Sequence, residues 1–120
     1  MEFMNKIELC GVVGRSETGS YNGSRVCNFS VVTEYSSRDK EGRSVIEPLW
    51  FNVSLWETRD NPRPEIDKLS PGTWVHVIGR LRVRKYTTVE NEERSSLDVV
   101  GRFVEIIPRD DNNMQPQRDY

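Results

Sequence analysis

The chain has 120 residues, with 17 lysines and arginines against 19 aspartates and glutamates, a net charge of −2 and 35% hydrophobic residues. That length holds one domain with a modest core, and no stretch nears the roughly 18 consecutive apolar residues of a membrane-spanning helix, so a cytoplasmic domain is expected. The near-balanced charge supplies no global field for a polyanion, so such a partner requires local segregation of the basic side chains.

In chain order, the first signal lies at residues 5–14, where Ile7, Leu9, Gly11 and Val13 share one parity, the period of a half-buried strand. The turn-rich residues 20–24 follow, and a hairpin with a longish loop is expected there. The second strand, at residues 25–35, alternates Cys27, Phe29 and Val31 with Asn28 and Ser30. Cys27 then points inward and Cys10 outward, so no disulfide joins them. Residues 36–44, polar and containing Gly42, read as a mobile loop.

The third strand is expected at residues 47–56. Pro62, Pro64 and Pro71 then interrupt the chain, leaving room for about one to two helical turns at residues 64–69. Residues 74–86 form the longest alternating run, residues 89–96 an acidic turn, and residues 97–107 a fifth strand stopped by Pro108. Three strands, a short helix and two more strands is the element order of an OB-fold. The expected class is all-β: a five-stranded Greek-key barrel over residues 1–108 with one short helix between strands 3 and 4. Residues 109–120 carry no apolar pattern and are expected to be a disordered tail.

Two strands carry the functional signal. In the third, Phe51, Val53 and Leu55 alternate with Trp50, Asn52, Ser54 and Trp56. The apolar set faces the core, so two indoles about 20 Å apart face outward. An exposed indole is a stacking surface for a nucleic-acid base, or else it is covered by a subunit interface or a loop. Trp74, just after a Pro-Gly turn, reads as core or rim packing. In the fourth strand, Val75, Val77, Leu81 and Val83 are expected inward and Arg80, Arg82, Arg84 and Tyr86 outward, with Lys85 beside them. Guanidiniums on alternate positions repel one another unless a phosphate backbone or carboxylates such as Glu8, Glu90 or Glu105 compensate them.

No catalytic set emerges. His76 is a lone histidine in mid-strand, the two cysteines have no zinc spacing, and neither a cofactor nor a metal is expected.

The residues resemble the bacterial single-stranded DNA-binding protein family over about the first 107 positions. Asn5-Lys6-Ile7 with Leu9 and Gly11 is similar to the family's first strand, and residues 26–33 to its second. Residues 49–56 are similar to its third, where Trp50 and Trp56 fall on DNA-stacking aromatics. Gly79-Arg80-Leu81-Arg82-Val83-Arg84-Lys85-Tyr86 resembles its basic strand, which ends in a stacking aromatic at Tyr86. A further family aromatic falls on Ser37, ahead of Arg38-Asp39-Lys40, and Tyr35 is the nearby substitute. The resemblance implies single-stranded DNA as partner, held by stacking on Trp50, Trp56, Tyr86 and Tyr35 and by phosphate contacts from Arg80, Arg82, Arg84, Lys85, Lys40 and Lys6. It also implies a homo-oligomer, tetramer or dimer, and replication, recombination or repair proteins as partners. Three readings stay open: sequence-tolerant single-strand binding, of DNA or RNA; an accessory OB-fold that bridges proteins in a primosome or in recombination; and a saccharide-binding module, for which the arginine ladder is the wrong chemistry.

Overall fold

The computed structural model describes residues 1–109; the expected tail at residues 110–120 lies outside them. Five strands form a closed barrel: β1 (Ile7–Tyr21), β2 (Ser24–Arg38), β3 (Ser44–Glu57), β4 (Trp74–Thr87) and β5 (Glu93–Ile107), in the spatial order β1-β2-β3-β5-β4. Neighbours are antiparallel except β3 and β5, which pair in parallel from Asn52–Asp98 to Ser54–Val100. This short parallel seam closes the sheet on itself and removes the exposed edges an open sheet would carry.

The inward parity read from the sequence fills the interior. Leu9, Val13, Cys27, Phe29, Val31, Val53, Leu55, Val75, Val77 and Val99 are buried, with Phe51 and Leu81 packed against them. The proline-bounded segment makes only a 3-10 turn, Pro64–Lys68, but its Ile66 and the following Leu69 enter the same core. Cys27 is buried and Cys10 exposed, both as free thiols. Bending the sheet into a barrel brings backbones close at Gly79, where an added Cβ would stand 2.2 Å from the carbonyl oxygen of Val100. Glycine is the one residue that fits such an approach.

The strands run further than alternation alone indicates. The β1–β2 connection is a two-residue turn rather than a longish loop: Tyr21 pairs with Ser24, and Asn22 and Gly23 take φ of 51° and 81°. Asn-Gly accepts two successive left-handed residues, which matches the twist of a tight hairpin. Likewise the loop expected at residues 36–44 shrinks to five residues. There Asp39 Oδ1 accepts the backbone N–H groups of Glu41 and Arg43 at 3.0 and 2.8 Å, and Arg38 pairs with Ser44. Polar residues thus continue as strand wherever a paired ribbon projects into solvent. For the same reason Val83, expected inward, is 57% exposed: beyond Leu81 the β4–β5 ribbon has left the barrel, and the inward parity has no core to meet.

A charge cluster ties the segment after β3 to the barrel. Arg25 donates from Nε to Glu57 Oε1 at 2.7 Å and ion-pairs Asp67 at 2.8 Å, while the Arg63 backbone N–H donates to Glu57 Oε2 at 2.6 Å. The hydrogen bonds from Arg25 and from the Arg63 backbone hold the Glu57 carboxyl below its usual range. A depressed carboxylate contributes stability that is present above its unfolded-state pKa and lost as pH falls through its folded one. Acidification below the ordinary glutamate range should therefore raise hydrogen exchange at the Arg63 amide before the β2–β3 ladder opens. Glu57→Gln should abolish that pH dependence.

Candidate nucleic-acid interface

Trp50 and Trp56 project from the outer face of β3, 60% and 42% exposed. Each stands on the parity opposite Phe51, Val53 and Leu55, so the same alternation that builds the core puts the indoles outside. Trp50 pairs with Val32 and Trp56 with Val26 on β2. Between them the face is polar: Ser54 Oγ donates to Asn28 Oδ1 at 2.7 Å.

The cross-strand register brings the basic strand to this polar stretch. Asp98 on β5 pairs with Asn52 on one side and with Arg82 of β4 on the other. A groove of about 310 Å³ results, lined by Arg15, Asn28, Asn52, Ser54, Arg82 and Arg84, with Asp98 among its walls. Arg80 lies on the same side of β4, opposite Val100. Among the described residues Arg15, Arg80, Arg82 and Lys85 engage no carboxylate, so their charge is free to meet an anion. Glu8 and Glu105, weighed as partners for the ladder, instead flank His76, at 2.5 Å from Nε2 and 3.6 Å from Nδ1. Arg84 is the exception: it donates to Asp98 Oδ2 at 2.8 Å, and its Cζ lies 5.3 Å from the centre of the Tyr86 ring.

The remaining sequence-predicted residues scatter around this centre. Tyr86 is 42% exposed and lines a second depression with Lys85 and Arg94 near the end of the β4–β5 ribbon. Tyr35 is exposed but pairs with Glu47, which places it on the face of the β2–β3 ribbon opposite Trp50. Lys40 sits in the turn that closes that ribbon, and Lys6 lies beside Ile78, Arg102 and Phe103; neither lines the groove. Trp74 is half-buried with the Arg109 guanidinium 4.8 Å from its ring centre, in keeping with rim packing.

Alternation alone missed three contributors. Arg15 lies within the bulge between Val13 and Ser16, where the extra residue breaks the counted parity. Asp98 reveals itself only once the β4–β5 register is known. Gly14 is the third, since a Cβ there would lie 2.4 Å from Cζ3 and 2.8 Å from Cη2 of Trp50, so the far edge of the indole occupies the space that a side chain at position 14 would fill. Gly14→Ala should displace the ring at little structural expense, because the atoms met closer than 3 Å are the far end of one exposed side chain and Ser30 Oγ, at 3.1 Å, needs to give only slightly. The expected result is weaker binding of single strands, approaching that of Trp50→Ala in a titration, with stability changed by no more than about 0.5 kcal/mol in urea unfolding.

Comparison with known proteins points the same way. The model of the single-strand binding protein family matches residues 4–107. The chain is 31% identical over 106 residues to single-stranded DNA-binding proteins of Neisseria meningitidis serogroups A and B, and 27% identical to that of Xanthomonas campestris. In each case the match spans 87% of this chain and 60% of the relative, so the chain spans about three fifths of the curated relatives it matches. Among solved structures, a Plasmodium falciparum SSB in complex with single-stranded DNA superposes with a TM-score of 0.76 at 25% identity, covering 90% of this chain and 98% of that one. A deletion mutant of the Thermus aquaticus single-stranded DNA-binding protein shares the fold, with a TM-score of 0.72 at 20% identity, covering 88% and 51%.

Proposed function

The chain belongs to the single-strand binding protein family, and from that premise we propose that it binds single-stranded DNA with little sequence preference and performs no chemistry on it. The observation that carries this reading is the pair of exposed indoles on β3, with a groove on the face between them where amide side chains meet Arg15 and Arg82, neither of which engages a carboxylate. Unpaired bases stack on Trp50 and Trp56, and on Tyr86 further along the ribbon. Stacking is sequence-tolerant because every base has a π-face. Arg80, Arg82 and Lys85 meet phosphates, Arg15 adds a cation from β1, and Asn28, Asn52 and Ser54 supply hydrogen bonds to whatever base edge lies between the indoles. A duplex keeps its bases stacked inside and offers the face only its backbone.

Such a protein shields unpaired DNA during replication, recombination or repair, and we place this chain in that role. Self-association belongs to the same proposal, with the outward pair Ile78 and Phe103, opposite each other on β4 and β5, as its surface; sedimentation velocity reads it.

The test is equilibrium binding of a long oligo-thymidine and of a duplex of equal length across a salt series. On a single strand, each neutralised phosphate contributes about 0.7 to the slope of log affinity against log salt. Arg80, Arg82 and Lys85 together then contribute roughly two, and the duplex binds far more weakly. Equal binding of both nucleic acids, or none of either, contradicts the proposal and favours a protein-bridging role for the same barrel.

A further inference from the structure

Arg84 stands apart from the other cations of β4. Its partner Asp98 has a side chain only 7% exposed, against 52% for that of Arg84. The second carboxylate oxygen of Asp98 accepts from Ser96 Oγ at 3.3 Å, a weak neutral contact. A carboxylate held that deep needs a cation to offset its lost hydration, so Arg84 is committed to it. The pair is net neutral, and a net-neutral pair releases few counterions on meeting a phosphate. The guanidinium meanwhile lies 5.3 Å from the centre of the Tyr86 ring, on a ribbon that has left the barrel and so lends that ring no core to pack against.

We propose that Arg84 is a positioning residue and not a phosphate partner: anchored on Asp98, its guanidinium fixes the Tyr86 ring in the orientation in which a base stacks on it. This rests on the single-strand reading above and assigns different work to neighbouring arginines. Arg80 and Arg82 supply charge, while Arg84 supplies geometry. Asp98 is the anchor, placed by the register that sets it beside both Arg82 and Asn52.

The test compares oligo-thymidine affinity across a salt series for wild type, Arg82→Gln, Tyr86→Ala and the double variant Arg84→Gln/Asp98→Asn. The double variant removes the pair without changing net charge and leaves no buried carboxylate stranded. Its affinity should fall roughly 5- to 30-fold at unchanged salt slope, whereas Arg82→Gln should lose about 0.7 of slope. In a Tyr86→Ala background the pair substitution should cost nothing further, because it acts through that ring. Photo-crosslinking of a 5-bromouracil oligonucleotide to Tyr86 should drop in the double variant while crosslinking to Trp56 persists. A slope reduced by about 0.7 in the double variant, or a loss that adds fully to that of Tyr86→Ala, overturns the proposal.

Should the double variant not fold, Arg84→Lys keeps the charge and loses the planar fork. Reduced crosslinking at Tyr86 with unchanged slope then supports the assignment, and unchanged crosslinking overturns it. A wild-type chain that binds no single strand removes the functional reading and this inference together; a wild type that binds single strands beside a folded double variant of equal affinity removes this one alone.

Discussion

Replacing Trp50 and Trp56 together with alanine should weaken oligo-thymidine binding by roughly 2 to 6 kcal/mol, the sum of about 1 to 3 kcal/mol per stacked base. That corresponds to a loss between about 30-fold and four decades in affinity. Folding should be little affected, since both rings are exposed and neither belongs to the core. The two losses should be close to additive, because six residues of extended strand separate the indoles by about 20 Å. Anisotropy of a labelled oligonucleotide measures the effect, with circular dichroism as the folding control. An unchanged affinity in a folded double variant would put the indoles outside the binding face.

The largest effect on stability is expected at Phe29. Its side chain is among the largest fully buried ones, 1% exposed, and it packs in the barrel interior with Val31, Val53, Leu55 and Val77. Phe29→Ala removes the ring and leaves a cavity that a closed barrel can relax only in part, at a cost of about 3 to 5 kcal/mol. Domains of this size are stable by about 5 to 15 kcal/mol, so the variant should sit near the margin of folding at room temperature. The neighbours Asn28 and Ser30 point outward from the same strand. Ser54 Oγ donates to Asn28 Oδ1, and Ser30 Oγ accepts the Arg15 backbone N–H at 3.0 Å. Losing Phe29 therefore loosens the groove from below. The urea midpoint should fall steeply, and saturating oligo-thymidine should restore part of it, because a ligand that binds only the folded state stabilises by mass action.

The core and the two indoles were legible in the sequence because alternation is a local property. Each of Val53, Leu55, Trp50 and Trp56 takes its face from its immediate neighbours, and no knowledge of the fold is needed to assign it. Arg15 could not be assigned that way, because the bulge after Val13 breaks the count. The role of Asp98 is equally hidden: residues 84 and 98 meet only through the β4–β5 register, and nothing in residues 97–99 specifies that pairing. The exposure of Val83 has the same origin, since a strand's pattern does not say where the barrel beneath it ends. The tight turn at Asn22-Gly23 was readable from its dipeptide, yet the polar residues on either side resemble loop when read by composition alone. The sequence likewise pointed to Gly79 only as the start of a basic run, whereas in the barrel it is where two backbones touch.

The most direct test of the central claim is intrinsic tryptophan fluorescence during titration with a long oligo-thymidine, with a duplex of equal length as control. Trp50 and Trp56 lie on the proposed face, and Trp74 sits half-buried beside Arg109. Strong but incomplete quenching by the single strand alone, relieved by added salt, is the predicted result, with Trp74 supplying the residual emission. Binding without quenching, or equal quenching by the duplex, would contradict the account, because bases stacked on the two exposed indoles cannot leave their emission unchanged.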